Sequence, residues 1–490
     1  MLPDDPHKKD RLFQTAEEIV CLDQNSEIII FNAENVNPAY FPKGGDRVLS
    51  IINALKDRMS FTPESIAAIC PPEIFNFLAE HSIIIDKDRS PQDRASQCTS
   101  CECGHKAQSR SMYLLLSHSC NQKCIYCLNG RDTYKSGHGI MMSWEVAYKS
   151  VKKVFDSISD DGNLEIVFFG GEPLLNWELA KKVVHFCEDI LKPSSPGKKV
   201  HYHLTTNLTI FPDDLVEYSL KYHITFLVNI DGPAEIHNKT RPFKNGRGSF
   251  DISVKNITKL KNAGLSVALR ATVTKYNQNH MIDVAEIHKA IGGSACAFVP
   301  LNAIDSDEEN LPLELCPDPE IFSEGLRAVY NSGIWRLEQL YPFNEYAGRL
   351  KPNYRNIWAC GAPHGNTPVI TADGGIFSCI YLVGIERYKI GHIDNIDFPV
   401  TSVVKDMLDI TNIHNSESCA GCGFRYLCGG GCPVGRFTIA GNPHVPEEIK
   451  LYTEKISCAV SKTVLQILLW EVATEKNKLY LDQKSNIIPR

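Results

Sequence analysis

The sequence predicts an α/β protein, a partial (β/α)6 barrel of the TIM type with a small module before it and a cysteine-rich domain after it. Two observations predict the barrel. Strand-like and helix-like segments alternate from 111 to about 301, and the strand-like runs are almost continuously apolar, as in parallel sheets covered by helices. A third observation sets the remainder apart: seven of the eighteen cysteines fall between 360 and 458.

Residues 1–90 read as an independent module. Two β-branched runs, EIVCL and EIIIF, flank a DQNS turn within Glu18–Phe31 and predict a hairpin. GGDRVLSIINALKDRM, TPESIAAI and PPEIFNFLAEH predict three short helices, and SIIID a closing strand. Hairpin, helices and strand together make a winged helix-turn-helix plan. No helix here carries the Arg/Lys row of a DNA recognition helix. Residues 91–110 are polar and read as a linker that holds Cys98, Cys101 and Cys103.

The barrel is expected over 111–317, with strands MYLLLS, LEIVFFGG, KVHYHLTTN, ITFLVNID, SVALRATV and CAFVPL. Amphipathic stretches such as WELAKKVVHFCEDIL and FDISVKNITKLKNAG separate them. In such barrels the chemistry sits at the C-terminal strand ends. A helical connector is expected over 318–350, the cysteine-rich domain over 351–465, and a C-terminal helix, SKTVLQILLWEVATEK, with a polar tail over 466–490.

Composition narrows the function classes. A formal charge of −7 argues against a dedicated nucleic-acid binder. No apolar run is expected to span a membrane, and the N-terminus MLPDDPHKKD lacks the apolar core of a secretory signal, so a cytoplasmic protein is expected. Clustered cysteines in a reducing compartment read as metal ligands before disulfides. Cys21, Cys70, Cys187, Cys296 and Cys316 stand alone and read as packing residues.

Cys120, Cys124 and Cys127 follow the first barrel strand at x3 and x2 spacing. Three thiolates can hold three irons of a [4Fe–4S] cube and leave the fourth open to a ligand. The competing reading is a zinc site with His118 as fourth ligand. The pattern C-x3-C-x-aromatic-C resembles the radical S-adenosylmethionine (SAM) superfamily. That resemblance implies SAM on the open iron and adenine against Tyr126. Gly170-Gly171-Glu172 resembles the superfamily's segment for the methionine end of SAM, with Glu172 accepting from its ammonium. Thr206 and Asn207, after strand three, and Asn229 and Asp231, after strand four, resemble SAM- or substrate-facing segments. Arg270 matches the arginine that pairs with the SAM carboxylate.

The C-terminal pattern is Cys360, Gly374-x4-Cys379, Cys419-x2-Cys422-x5-Cys428-x3-Cys432, then Cys458. It resembles the SPASM extension of radical SAM peptide maturases. The resemblance implies two auxiliary [4Fe–4S] clusters, the first on Cys360, Cys379 and Cys432 and the second on Cys419, Cys422, Cys428 and Cys458. Two closed clusters need eight ligands and this region offers seven thiols. Either one iron is open to a substrate thiolate, or a residue elsewhere, such as Cys98, Cys101 or Cys103, closes it.

Sulfatase-maturing relatives carry an Asp base after the cysteine equivalent to Cys379. Here Ile380 follows. The run from Cys379 to His392 instead resembles thioether-forming maturases of ribosomally made peptides, of the ranthipeptide (SCIFF) and quinohemoprotein amine dehydrogenase maturation types. Their N-terminal PqqD-like winged helix captures the precursor's leader by β-augmentation. The resemblance thus implies an oxidoreductase-type peptide maturase with SAM, three [4Fe–4S] clusters, a precursor peptide and a flavodoxin- or ferredoxin-type reductant. No side chain is assigned as a catalytic acid or base. A carbon–carbon link or formylglycine is the alternative product; an electron carrier or a structural zinc protein is the alternative class.

Overall fold

The computed structural model describes residues 13–16, 19–24, 27–33, 35–41, 45–56, 58, 60–86, 107–127, 140–303, 313–350, 354–395, 402–440 and 445–483. Cys98, Cys101 and Cys103 lie outside the described residues.

In the N-terminal module β1 (Phe13–Thr15) pairs with β5 (Ile84–Asp86). Between them β2 (Ile19–Gln24), β3 (Glu27–Asn32) and β4 (Asn35–Phe41) form an antiparallel meander. The expected hairpin is β2 and β3. The third strand escaped the sequence because NVNPAYF contains Pro38, which a ladder tolerates only at an edge, and β4 is an edge. Helices Gly45–Lys56 and Pro72–Glu80 match expectation, but TPESIAAI yields a single 3-10 turn, Glu64–Ile66. Two helices and a turn thus stand where three helices were expected.

Residues 28–31 of the run EIIIF are apolar throughout because β3 is covered on both faces. Ile28 and Ile30 join the module's own core with Ile52, Leu55 and Leu78. Ile29 and Phe31 point the other way, into the main core, where Phe31 lies 6.2 Å from the Phe424 ring. Tyr40 packs edge-on against Trp470. The module is therefore fastened to the body through side chains that alternate along one strand.

The main sheet has ten strands. β6 (Ala107–Ser117), β7 (Ile158–Gly170), β8 (Lys199–Thr206), β9 (Thr225–Asn229), β10 (Val267–Val273), β11 (Ala295–Pro300) and β12 (Leu340–Tyr341) run parallel in sequential order. Right-handed crossovers in one direction put the connecting helices on one face. β10 shows the consequence: Val267, Leu269, Ala271 and Val273 are buried, while Arg270 and Thr272 alternate toward the opposite, cavity-lining face.

Several expected boundaries shift. β6 starts at Ala107, so 107–110 belong to the barrel rather than to a linker. The connector 318–350 contains β12 as well as helices. The barrel and the cysteine-rich region share one sheet: β13 (Val369–Ile370) pairs with β6 in parallel, and β14 (Gly375–Phe377) and β15 (Lys389–His392) continue it antiparallel. Pairing to β13 removes the exposed edge that β6 would otherwise present.

The C-terminal helix begins at Glu447 and runs to Gln483, longer than expected. Its segment Glu447–Thr474 is long and apolar enough to cross a membrane by length and composition, contrary to the expectation from sequence. Ile456, Val464, Leu465, Leu468 and Leu469 on it are buried in the main core.

Replacing Phe31 by Ala removes a fully buried ring that joins the module to the body. The expected cost is about 3–5 kcal/mol. Limited proteolysis checks it: the module should become cleavable from a body that stays intact.

Candidate active site

The strand ends of β6 to β11 converge on one cavity of about 160 Å³. The cysteine loop lies across it. Gly171 N–H donates to the Ser117 carbonyl (2.7 Å) and Glu172 N–H to that of Ser119 (2.9 Å). Lys123 and Ile125 N–H groups donate to Pro242 and Thr240 carbonyls (2.8 and 3.0 Å). The two glycines are dictated by this approach. Gly170 sits at φ +133°, and a Cβ there would lie 2.4 Å from the Ser117 oxygen; a Cβ on Gly171 would lie 2.2 Å from that of Ser119.

Cys120, Cys124 and Cys127 all line the cavity, with Tyr126, Gly170, Gly171, Thr206, Asn207, Asn229 and Arg270. Burial pushes the Cys120 thiol up to about 11 and the Cys124 thiol to about 12, and the neighbouring sulfurs push the same way. Binding iron would therefore release protons. Backbone and amide donors already face the sulfurs. Gln122 N–H is 3.4 Å and Asn207 Nδ2 3.7 Å from Cys120 Sγ. Gln122 is 5% exposed, and its Nε2 has no partner among the described residues.

Two expected contacts lie behind the wall instead. Glu172 is fully buried, and its carboxylate accepts from Thr206 Oγ1 (2.6 Å), Asn207 N–H (2.9 Å) and Leu174 N–H (3.1 Å). Burial pushes it up to about 7 against those donors. It braces the Thr206–Asn207 turn and is not exposed to a ligand's ammonium. Asp231 is also fully buried. It accepts from the Tyr126 hydroxyl, Thr240 Oγ1 (3.0 Å), Arg241 Nε (2.9 Å) and Thr272 N–H (3.1 Å). Burial opposes its charge, but the Arg241 cation and these donors hold it below the usual carboxylate range.

Arg241 is a site residue that the sequence did not reveal. Its guanidinium lies over the Tyr126 ring at 5.2 Å, reaches Thr272 Oγ1 at 3.5 Å, and places Nη1 3.8 Å from Cys124 Sγ. Nothing in NKTRPF separates it from a surface arginine. The short helix Ala234–Thr240 carries the chain back from Asp231 to meet it.

The family model described as the Radical SAM superfamily matches residues 114–287, the segment that supplies most of this cavity's lining. The chain carries a radical SAM domain. The cysteine-type anaerobic sulfatase-maturating enzyme of Clostridium novyi is 26% identical over 329 residues, spanning 64% of this chain and 85% of that one. The radical SAM cyclopropyl synthase TigE of Paramaledivibacter caminithermalis is 24% identical over 388 residues, 76% of this chain and 75% of its own. The solved structure of native anSMEcpe with bound AdoMet matches in fold with a TM-score of 0.58 at 19% identity, over 73% of this chain and 99% of that chain.

The cysteines between 360 and 458 lie in two neighbourhoods. Cys419, Cys422, Cys428 and Cys458 line one small cavity with Ser457, Ser461 and Lys462. Arg436 Nη2 is 3.0 Å from Cys419 Sγ. Cys379 and Cys432 face Cys360 and one another; burial first, then these sulfurs, pushes Cys379 up and Cys432 to about 12. Gly429, Gly430 and Gly431, at φ +70°, +91° and +73°, turn the chain between Cys428 and Cys432. Among the described residues no three His, Cys, Asp or Glu side chains converge as they would on a single metal ion.

Replacing Cys120, Cys124 and Cys127 together by Ala should abolish SAM cleavage, read as 5′-deoxyadenosine, while iron bound by the C-terminal cysteines remains. Glu172→Gln turns an amide toward buried N–H donors and should lower unfolding stability by about 1–3 kcal/mol in chemical denaturation.

Proposed function

We propose that this chain is a radical SAM maturase of a ribosomally made peptide, and that it closes a thioether between a substrate cysteine sulfur and a substrate carbon. The observation that carries the reading is the cavity lining. It joins the three thiols of the cysteine loop to Ile380 and Tyr381, which directly follow Cys379. One cavity thus meets both a cluster-type thiol triad and the edge of a second cysteine site.

The donor set fits iron–sulfur clusters. Three soft thiols line one cavity and four line another, and the buried Gln122 Nε2, unpaired among the described residues, leaves an amide donor in the cysteine loop. Cys120, Cys124 and Cys127 would hold the SAM cluster. Cys360, Cys379 and Cys432 would hold the first auxiliary cluster, and Cys419, Cys422, Cys428 and Cys458 the second. With SAM and reductant bound there, these groups supply a 5′-deoxyadenosyl radical and an acceptor for one electron.

The chain's own residues do the rest. Tyr126, the Gly170–Gly171 backbone, Asn207, Asn229 and Arg270 line the space for SAM and orient it. Arg270 is held by Asn229 Oδ1 at 2.9 Å. The seven thiols would leave one auxiliary iron for the substrate thiolate, fixing it beside the carbon that loses hydrogen. The thiol proton would leave to solvent as the sulfur is bound; as the carbon–sulfur bond forms, the substrate carbon would give its hydrogen atom to the 5′-deoxyadenosyl group and one electron would pass to the auxiliary acceptor. The N-terminal module would hold the precursor's leader, and a flavodoxin- or ferredoxin-type protein would supply the electron.

Formylglycine formation is the second reading, because the Clostridium novyi relative is a sulfatase-maturating enzyme. That product needs a base for the substrate's thiol or hydroxyl proton. Among the described residues, the cavity lining includes no carboxylate, imidazole or lysine; a thiol that binds cluster iron would give up its proton on binding and needs no such side chain, which favours the thioether. Mass spectrometry of a Cys-containing precursor incubated with the reduced enzyme decides. Loss of two hydrogens, with that cysteine resistant to alkylation, is expected; an aldehyde trapped by a hydrazide would overturn the thioether.

A further inference from the structure

Arg241 lies 8% exposed at the side-chain level and is buried together with Asp231. A buried ion pair must be fully hydrogen-bonded to hold. This one is: Asp231 spends its oxygens on Tyr126, Thr240, Arg241 and Thr272, and Arg241 uses Nε on Asp231 and Nη2 on Thr272. The free end of the guanidinium, Nη1, is the part that faces Cys124 Sγ. The other ionisable neighbours add little charge. His237 donates nothing to Asp231 but accepts its N–H (3.3 Å), and burial keeps His237 neutral.

We propose that Arg241 is a positioning residue that sets the reduction potential of the SAM cluster, its cation held beside Cys124 so that the extra electron of the reduced cluster is stabilised. The proposal rests on the radical SAM reading and adds a residue role to it. Adding an electron makes the cluster more negative, and a fixed cation at thiolate distance in a dry wall favours that state. The carboxylate of Asp231 works in the opposite sense, but it acts on Cys124 more weakly than the guanidinium does, with its charge shared among four donors. The pair therefore acts as an oriented dipole with its positive end toward Cys124. Arg241 also packs over Tyr126, so loop position and cluster charge are set by one side chain.

The test is an EPR-monitored redox titration of the whole reconstituted enzyme without SAM. The signal of interest is the one missing from the Cys120→Ala, Cys124→Ala, Cys127→Ala variant. If that variant retains 5′-deoxyadenosine formation, the radical SAM reading itself fails, and separately from this proposal. Arg241→Gln should lower the midpoint, leaving about tenfold less reduced cluster at a fixed potential, or ~59 mV for one electron. Arg241→Lys should restore most of the shift. Asp231→Asn removes the opposing charge while keeping the side chain's shape, and should raise the midpoint. Opposite shifts from the two neutralisations support the proposal, because loss of packing alone has no reason to change sign. An unchanged midpoint in Arg241→Gln, or shifts of the same sign in both, overturns it. Where one variant fails to take up iron, the sign in the other decides.

Discussion

The buried carboxylate of Asp231 is the constraint on which the site depends. It lies just beyond β9, yet its four donors come from the cysteine loop, from the end of the helix Ala234–Thr240 with Arg241 after it, and from β10. An ionised carboxylate without donors would not survive in this dry wall, so every one of those segments has a fixed place relative to it. Tyr126 is set by it directly. Cys124 and Cys127 follow, because they flank that tyrosine in a loop of eight residues. Glu172 plays the matching role on the other side, tying the end of β7 to the turn after β8. The cavity floor is thus organised by two fully buried acids that stand outside its lining.

A second constraint is the continuity of the sheet. β6 leads into the radical SAM cysteine loop at one end and pairs along its free edge with β13. The strands that continue from there bring Ile380 and Tyr381, next to Cys379, to the rim of the same cavity. Distance between the two cysteine sites is therefore set by backbone hydrogen bonds rather than by a flexible linker. The three left-handed glycines before Cys432 complete the arrangement from the other side; a Cβ on Gly431 would lie 2.1 Å from Ser457 Oγ. Those glycines let Cys428 and Cys432 diverge although only three residues separate them.

The N-terminal module shows how one strand can belong to two cores. β3 sends Ile28 and Ile30 one way and Ile29 and Phe31 the other. A module that bound only through loops would reorient freely, whereas this one presents its remaining faces at a fixed position on the body. That suits a device for delivering a peptide to a buried cavity.

The sequence by itself determined the parallel α/β core and the cysteine loop after its first strand. Each of these is written in local spacing: apolar runs between amphipathic helices, three thiols within eight residues, Gly-Gly at a strand end. It misplaced what depends on several segments at once. Glu172 and Asp231 look like ligand contacts because they follow strand ends, but a buried acid turns toward whatever donors surround it, and those come from other strands. Arg241 carries no local signal at all, since its partners are Asp231, Tyr126, Thr272 and Cys124. The sharing of one sheet by barrel and cysteine-rich region was equally hidden, because two-residue β13 has no periodicity to read and exists only through its pairing with β6 and β14. Local patterns name the elements and the chemistry; which buried charges meet, and which edge is covered, is decided only when desolvation forces distant groups to find partners.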